Sequence, residues 1–441
     1  MLVGPNNTGK SIALLVIYSA LSNYNSRLSF RLLRTVRRGL EGRDHTLAEM
    51  SAISFENPPE LKELPLLIRE LLQECLNVTI EIYATAFIRQ LGRCVGGFPT
   101  ELRRGGSEVG TSLITVTNDL PHWRIELLIH ESGAEISTQG PSLDEVWKKV
   151  NWQDWSDLYG FDPFDPDASL EPVTRLAHML ASAFFSGFLG ETQYLPAARS
   201  GLMQSHKVLA GSLVRHAAHR DPPDLNAPAV TGIVADFLAK MIELDPEATG
   251  SFSDHAARLE QEILGGLIAL EPDGPGGYPE PVYRSPGGEF PLARTSSMVS
   301  ELAPVVLFLR HVLRRGDLLM IEEPEAHLHP QAQVAFAKTL VRLVNSGLRV
   351  AITTHSEFFL QQLNNAVIAS GVREDASDEI GLDRETRLRP ESVAAYLFKP
   401  DGERGTEVVE LPVDPQVGIP ESSFSEVSEY LYEQTVALDN R

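Results

Sequence analysis

An α/β fold built on a largely parallel sheet is what this sequence predicts, and three stretches predict it. Leu318-Leu319-Met320-Ile321 is an apolar run that follows Gly316-Asp317 and stops at Glu322-Glu323-Pro324, the pattern of a strand buried on both faces. Met1-Leu2-Val3 leads into Gly4-Pro5-Asn6-Asn7-Thr8-Gly9-Lys10-Ser11, which fits G-x-x-x-x-G-K-[ST], a loop whose backbone amides cradle phosphates. Arg349-Val350-Ala351-Ile352-Thr353-Thr354 is a further strand, and it ends at His355. All three leave polar residues where a strand stops, the edge at which such sheets bind ligands.

Composition bounds the rest. At 441 residues, with 43% apolar and 22% charged, the chain has room for two or three structural units of a soluble globular protein. Sixty acidic against 38 basic residues give a formal charge of −22, which argues against a surface that coats DNA and leaves room for a local basic groove. Cys75 and Cys94 are too few for a disulfide framework or a zinc site and point to a reducing cytoplasm. No apolar run has membrane-spanning length and no signal-peptide layout opens the chain, so a cytoplasmic protein without membrane contact is expected.

In chain order, Ser11 to Ser22 reads as a helix whose N-terminal amides face the phosphates. A second helix places Arg27, Arg31, Arg34 and Arg38 on one face. That face is either a solvated, salt-bridged surface or a contact for nucleic-acid phosphates or an acidic partner. From Leu76 to about Thr138 the pattern turns to β, with Val78 to Ala84, Ser112 to Val116 and Trp123 to Ile129 as antiparallel strands. Residues 140 to 165 read as a connection. Helices are expected from Glu171 to Leu189, Met203 to Ala218, Val230 to Leu244 and Ser253 to Leu270, none with sustained heptads. A Pro/Gly-rich stretch then leads to a hairpin, Pro281 to Arg284 with Glu289 to Leu292. Ser-rich Arg294 to Leu302 opens a helix that runs to Arg314. After His355 come a helix from Glu357 to Ser370, an acidic loop from Asp375 to Asp383, strands Ser392 to Phe398 and Thr406 to Leu411, and a last helix from Ser423. Asp375, Asp378 and Asp383 read as a solvated loop rather than a metal cluster.

The chemistry follows from residue type and position. Lys10 bridges outer phosphates, while Gly4, Asn6, Asn7, Thr8, Gly9, Lys10 and Ser11 form the cradle. Ser11 and Glu322 supply hard oxygen donors for magnesium. Glu323, one residue beyond at the strand end, polarises the attacking water, and His355 hydrogen-bonds the γ-phosphate or that water. The catalytic set is therefore Glu323, His355 and Lys10, with ATP and Mg2+ as ligands. Glu325, His327 and His329 read as a turn before the Pro330 helix rather than as metal ligands.

The loop, the Ile321-Glu322-Glu323-Pro324-Glu325-Ala326-His327-Leu328-His329-Pro330 stretch and Thr354-His355-Ser356 together resemble the ABC-class ATPases of DNA repair and phage defence, the RecF, SMC and OLD-like group. The matched motifs cover the first dozen residues and roughly 290 to 360. The resemblance implies an ABC-type P-loop head with a mixed, mainly parallel core sheet, an antiparallel β lobe and a helical insertion. The expected division is 1–140 and 281–441 as the two parts of the head, with 141–280 as a mainly helical insertion. It also implies a homo-oligomer that closes on ATP, with Ser296 and Ser297 in the signature position reaching the γ-phosphate of the opposing subunit. Met298 stands where many relatives have glycine and narrows that approach. Gln90 is either the family's glutamine-loop residue or, as its surroundings favour, a plain surface glutamine. Tyr194 to Gly201 is similar to a strand-end segment of OLD-like members, which puts Arg199 either at the nucleotide edge or in an ordinary ion pair.

Relatives place two strands before the phosphate loop where only Met1 to Val3 stand here, so either the start codon lies upstream of Met1, the favoured expectation, or the sheet is incomplete. Only 86 residues follow His355, and they read as completion of the head rather than a fused Toprim nuclease. The implied function is an ATP-hydrolysing switch of a DNA-processing or antiphage defence complex, controlling a separate effector such as a Toprim or other nuclease. The alternative is an ATP-binding scaffold with little or no hydrolysis.

Overall fold

The computed structural model describes residues 1–3, 10–21, 28–41, 60–95, 112–119, 122–130, 133–150, 171–184, 190–205, 231–271, 280–373, 379–401, 405–420 and 422–439. Internal contacts divide the chain into one unit of residues 1–18 with 190–441 and a second of residues 19–189. In chain order the elements are β1 (Leu2–Val3), α1 (Lys10–Leu21), α2 (Leu28–Leu40), α3 (Leu66–Val95), β2 (Ser112–Asp119), β3 (His122–His130), β4 (Gly133–Gln139), α4 (Leu143–Trp147) and α5 (Glu171–Phe184). There follow β5 (Thr192–Leu195), α6 (Gly232–Ile242), α7 (Ser253–Leu259), β6 (Leu267–Glu271), β7 (Glu280–Ser285), β8 (Gly288–Pro291) and α8 (Ser297–Leu307). The chain closes with β9 (Leu318–Glu322), α9 (Pro330–Asn345), β10 (Arg349–Thr354), α10 (Glu357–Ala369), β11 (Ala395–Asp401), β12 (Gly405–Leu411) and α11 (Ser422–Asp439).

The first unit is organised by a six-stranded sheet in the order β12-β11-β1-β10-β9-β5. Every neighbouring pair is parallel except the β11–β12 hairpin. The fold is thus α/β with a mixed, mainly parallel core sheet and separate antiparallel sheets. Parallel strands carry helices on their faces, which explains the unbroken apolar run of β9: Leu319, Met320 and Ile321 are fully buried. Each such side chain contributes roughly 1.5–3 kcal/mol by leaving water. Helices α8 and α9 supply Leu302, Val305, Val306, Phe336, Leu340 and Val341 to the core. The two C-terminal strands lie in this sheet, as expected for completion of the head.

One helix ends earlier than its sequence pattern suggests. Instead of running to Leu270, α7 widens into a π-helical turn, Glu260–Leu264, and stops at Gly265 in the left-handed region (φ 62°), whose N–H bonds Glu260 O. Gly265 is suited to that conformation. At Gly266 a Cβ would stand 2.6 Å from Arg284 O and from the Tyr283 ring, so this close approach of the two strands needs glycine, and Leu267–Glu271 pairs with β7. The predicted hairpin is present as β7–β8.

The second unit packs α2, α3, α4 and α5 against the antiparallel sheet β2-β3-β4. The expected strand Val78 to Ala84 is helix, the middle of α3. Its β-branched alternation is real, but Ile80, Tyr83, Ala84, Phe87, Leu91 and Cys94 are all buried and recur at helical spacing over a longer span. Burial of that stripe, with Tyr83 edge-on to Trp123 of β3 at 5.5 Å, outweighs local β propensity. Gln90 sits in the same helix, buried, accepting a hydrogen bond from Arg93 at 2.9 Å; it is not on a loop. On α2, Leu32, Val36 and Leu40 turn inward and Arg34 and Arg38 outward. Arg38 pairs with Glu74 at 3.1 Å. Arg27 and the side chain of Arg31 lie outside the described residues. Among the described residues no helix is long and apolar enough to cross a membrane.

Candidate functional site

Strand register assembles the site. Val3 of β1 lies opposite Thr354 of β10, and Thr353 lies opposite Glu322 of β9. The exit of β1, which leads into the phosphate-loop motif, therefore shares one sheet edge with Glu322-Glu323 and with His355. Gly4, Asn6, Asn7, Thr8 and Gly9 fall outside the described residues. The motif's last two residues, Lys10 and Ser11, begin α1, Lys10 buried and Ser11 exposed. Burial pushes the Lys10 ammonium below its usual range, against the pull of nearby Glu323 and Glu325.

The two glutamates at the end of β9 are held differently. Glu322 is buried, with Oε2 accepting the Ala197 N–H at 3.1 Å. Glu323 is partly exposed and occupies the left-handed region at φ 43°, a conformation that a non-glycine residue adopts only when its surroundings impose it. Those surroundings are visible. Glu323 N–H donates to Thr353 O at 3.0 Å and Thr353 Oγ1 at 3.1 Å, and Glu323 O accepts from Arg199 at 3.2 Å.

Glu325, set aside at the level of sequence, is the buried centre of the edge. Its Oε1 accepts from Thr354 Oγ1 and from His355 N, both at 2.8 Å. No hydrogen bond reaches its buried Oε2 among the described residues. His355 Nδ1 stands 3.5 Å from Glu325 Oε1 and 3.8 Å from Glu323 Oε1. Lys10, His355, Glu323 and Glu325 thus lie near one another at one partly open edge, where the lysine ammonium and the imidazole can meet an anion.

Arg199 does not face that opening. It is fully buried and paired with Glu301 of α8, itself fully buried. It also donates to Pro196 O at 3.0 Å and Glu322 O at 2.6 Å. Of the two readings of Arg199, the ion pair is realised, though directly behind the acidic strand end. The Tyr194-Leu195-Pro196-Ala197-Ala198-Arg199 wording was the available signal; a lone glutamate inside the apolar run of α8 was the other. At the start of α8, Ser296 is the N-cap, its Oγ accepting Val299 N–H at 3.4 Å. Ser296 and Ser297 are exposed and Met298 half-buried against the core. Ser300 is buried, donating to Leu292 O at 3.1 Å. His327 (φ 58°) and His329 are exposed on the turn before α9, and no metal cluster of His, Cys, Asp or Glu forms among the described residues.

A family profile described as an AAA ATPase domain matches residues 237–360, a span that holds Ser296, Glu322, Glu323 and His355. No curated protein matches the chain. Among solved structures, the SMC head domain from Thermotoga maritima aligns with 74% of this chain and 86% of its own, at 11% identity and a TM-score of 0.31. A SmcHead bound to the C-winged helix domain of ScpA covers 94% and 90% at 10% identity and a TM-score of 0.33. An Smc head domain with an extended coiled coil, bound to a ScpA C-terminal domain derived from Pyrococcus furiosus, covers 98% and 92% at 11% identity and a TM-score of 0.32.

Proposed function

We propose that the chain binds ATP between the loop after β1 and the glutamates ending β9, and hydrolyses it as an ABC-type ATPase. One observation carries this: the register of β1, β10 and β9 brings Lys10, Glu323 and His355 to one sheet edge, with Lys10 in the field of Glu323 and Glu325. The ATPase-domain match over 237–360 supports the same reading.

In this mechanism the loop amides of Asn6 to Ser11 and the Lys10 ammonium hold the outer phosphates, and the N-terminus of α1 adds its dipole. Burial lowers the proton affinity of Lys10, and an arriving phosphate charge would raise it. The Ser11 hydroxyl and the Glu322 carboxylate are hard oxygen donors and fit magnesium, which would neutralise charge on the phosphates. Glu323 orients and polarises the water, and its carboxylate accepts the proton as attack proceeds. His355, between Glu323 and Glu325, is placed to donate a hydrogen bond to the γ-phosphate.

The exposed serines at the head of α8 suit a phosphate approached from a second copy of the chain, so ATP would draw two copies together. Control of a separate effector, nuclease or otherwise, in DNA processing or antiphage defence extends this reading, as does nucleic-acid contact through the α2 arginines. Purified protein should bind ATP with Mg2+ and release phosphate, and Lys10→Ala should weaken binding by about tenfold or more. Unchanged binding in that variant would remove the phosphate loop from the site.

A further inference from the structure

The Arg199–Glu301 pair is the least expected feature of the unit. Both side chains are fully buried, and burial lowers the affinity of Arg199 for its proton and raises that of Glu301, each opposed by the partner's charge. A buried ion pair is weak as a source of stability, because desolvation consumes much of the attraction. Its geometry suggests another use. Arg199 spreads one guanidinium over the carbonyls of Pro196, Glu322 and Glu323 while pairing with Glu301, and Glu301 Oε2 accepts Ser200 N–H at 3.0 Å. The planar fork permits this simultaneous contact, which a lysine cannot reproduce.

The Glu323 peptide is consequently gripped on both sides, its N–H by Thr353 and its carbonyl by Arg199. That double hold sustains the left-handed φ and so determines where the carboxylate projects. Glu301 lies one helical turn after Ser297 on α8. A displacement of the serine-bearing end of α8 would therefore be felt, through one ion pair, at the catalytic carboxylate.

We propose that Arg199 and Glu301 are positioning residues: together they clamp the Glu323 peptide and tie the setting of its carboxylate to the position of α8. This rests on Glu323 acting on water in ATP hydrolysis. The test uses Arg199→Met/Glu301→Leu, which removes both partners of the pair together and with them the hydrogen bonds to the Pro196, Glu322 and Glu323 carbonyls, and Arg199→Lys, which keeps charge and loses the fork. In both, kcat should fall by about tenfold or more while KM and nucleotide Kd stay within about threefold. Amide hydrogen exchange in a peptide spanning residues 321–326 should speed up by about tenfold, with the centre of α9 unchanged. A kcat within twofold of wild type in a folded variant overturns the proposal, and so does unchanged exchange at 321–326 whatever the rate. If the double variant does not fold, Arg199→Lys decides by the same two measures. If the wild type releases no phosphate, the ATPase reading fails by itself, and the exchange measurement alone upholds or overturns the clamp.

Discussion

Replacing Glu323 by glutamine is the sharpest perturbation of the proposed chemistry. The substitution keeps side-chain volume and leaves the backbone grip of Thr353 and Arg199 in place, so the fold should be unaffected. It removes a carboxylate that stands 3.8 Å from His355 Nδ1 and that attracts the Lys10 proton. Loss of a general base costs about 10²–10⁴ in rate, or about 3 to 5 kcal/mol of barrier at 1.4 kcal/mol per tenfold. Binding should move the other way. A negative charge roughly 6 Å from an incoming phosphate costs on the order of 3 kcal/mol at an effective dielectric of 20, and solvent at this partly exposed residue screens much of that. ATP affinity is therefore expected to stay equal or rise up to about tenfold. Single-turnover phosphate release with saturating protein, beside titration of a fluorescent ATP analogue, reads the two effects separately. Release within twofold of wild type would remove Glu323 from its role and leave the scaffold reading, in which ATP is held and scarcely turned over. A large loss of binding would refute the electrostatic argument.

Three stability predictions test the frame around the site. Phe336→Ala empties a fully buried position that meets the Phe359 ring at 6.3 Å and should cost about 3–5 kcal/mol, read as a lower urea midpoint for the unit containing β9. Gly266→Ala drives a Cβ to 2.6 Å from Arg284 O and should cost about 1–3 kcal/mol, because the obstacle is backbone; an unchanged midpoint would contradict the stated packing. For Asp383, burial pushes the carboxyl up, but hydrogen bonds from Thr386, with Arg342 and Arg258 nearby, outweigh it and hold the group below its ordinary value of 3.8. A depressed carboxyl stabilises fully above that ordinary value and loses its effect as pH falls through the lower folded value. Asp383→Ala should accordingly destabilise by about 1 kcal/mol at pH 7, through loss of a cap. In paired thermal melts the gap between variant and wild type should narrow as pH falls below 3.8.

How far the site was legible from residues alone can be traced element by element. Strand β9 with its terminal glutamates and strand β10 with its histidine could be read because a doubly buried parallel strand writes itself as a continuous apolar run, and its functional residues must follow where it stops. The hairpin β7–β8 was legible through its flanking glycines and prolines. Helix α3 was misread over Val78 to Ala84 because a seven-residue window of β-branched residues hides a helical stripe that only the full 30-residue span reveals. The strand β6 is hidden inside an expected helix because its pairing partner β7 begins nine residues after it ends, and only the left-handed turn at Gly265 separates it from the helix before. Glu325 does lie in the turn after β9, but nothing near it in sequence announces that Thr354 Oγ1 and His355 N close on it from 29 and 30 residues away.

By itself the order of residues determined the chemistry on offer: a motif of the phosphate-binding type with a lysine at the start of a helix, and two adjacent carboxylates and a histidine where strands stop. Those assignments are local, set by hydrophobic run length and turn chemistry within a dozen residues. Only tertiary structure decided which groups meet. The pairing of Arg199 with Glu301, the left-handed setting of Glu323 and the burial of Glu325 all depend on strands and helices from distant parts of the chain sharing one sheet edge. A charged side chain carries no record in its neighbours of the partner that will make its burial tolerable, because that partner is supplied by the packing of the whole unit.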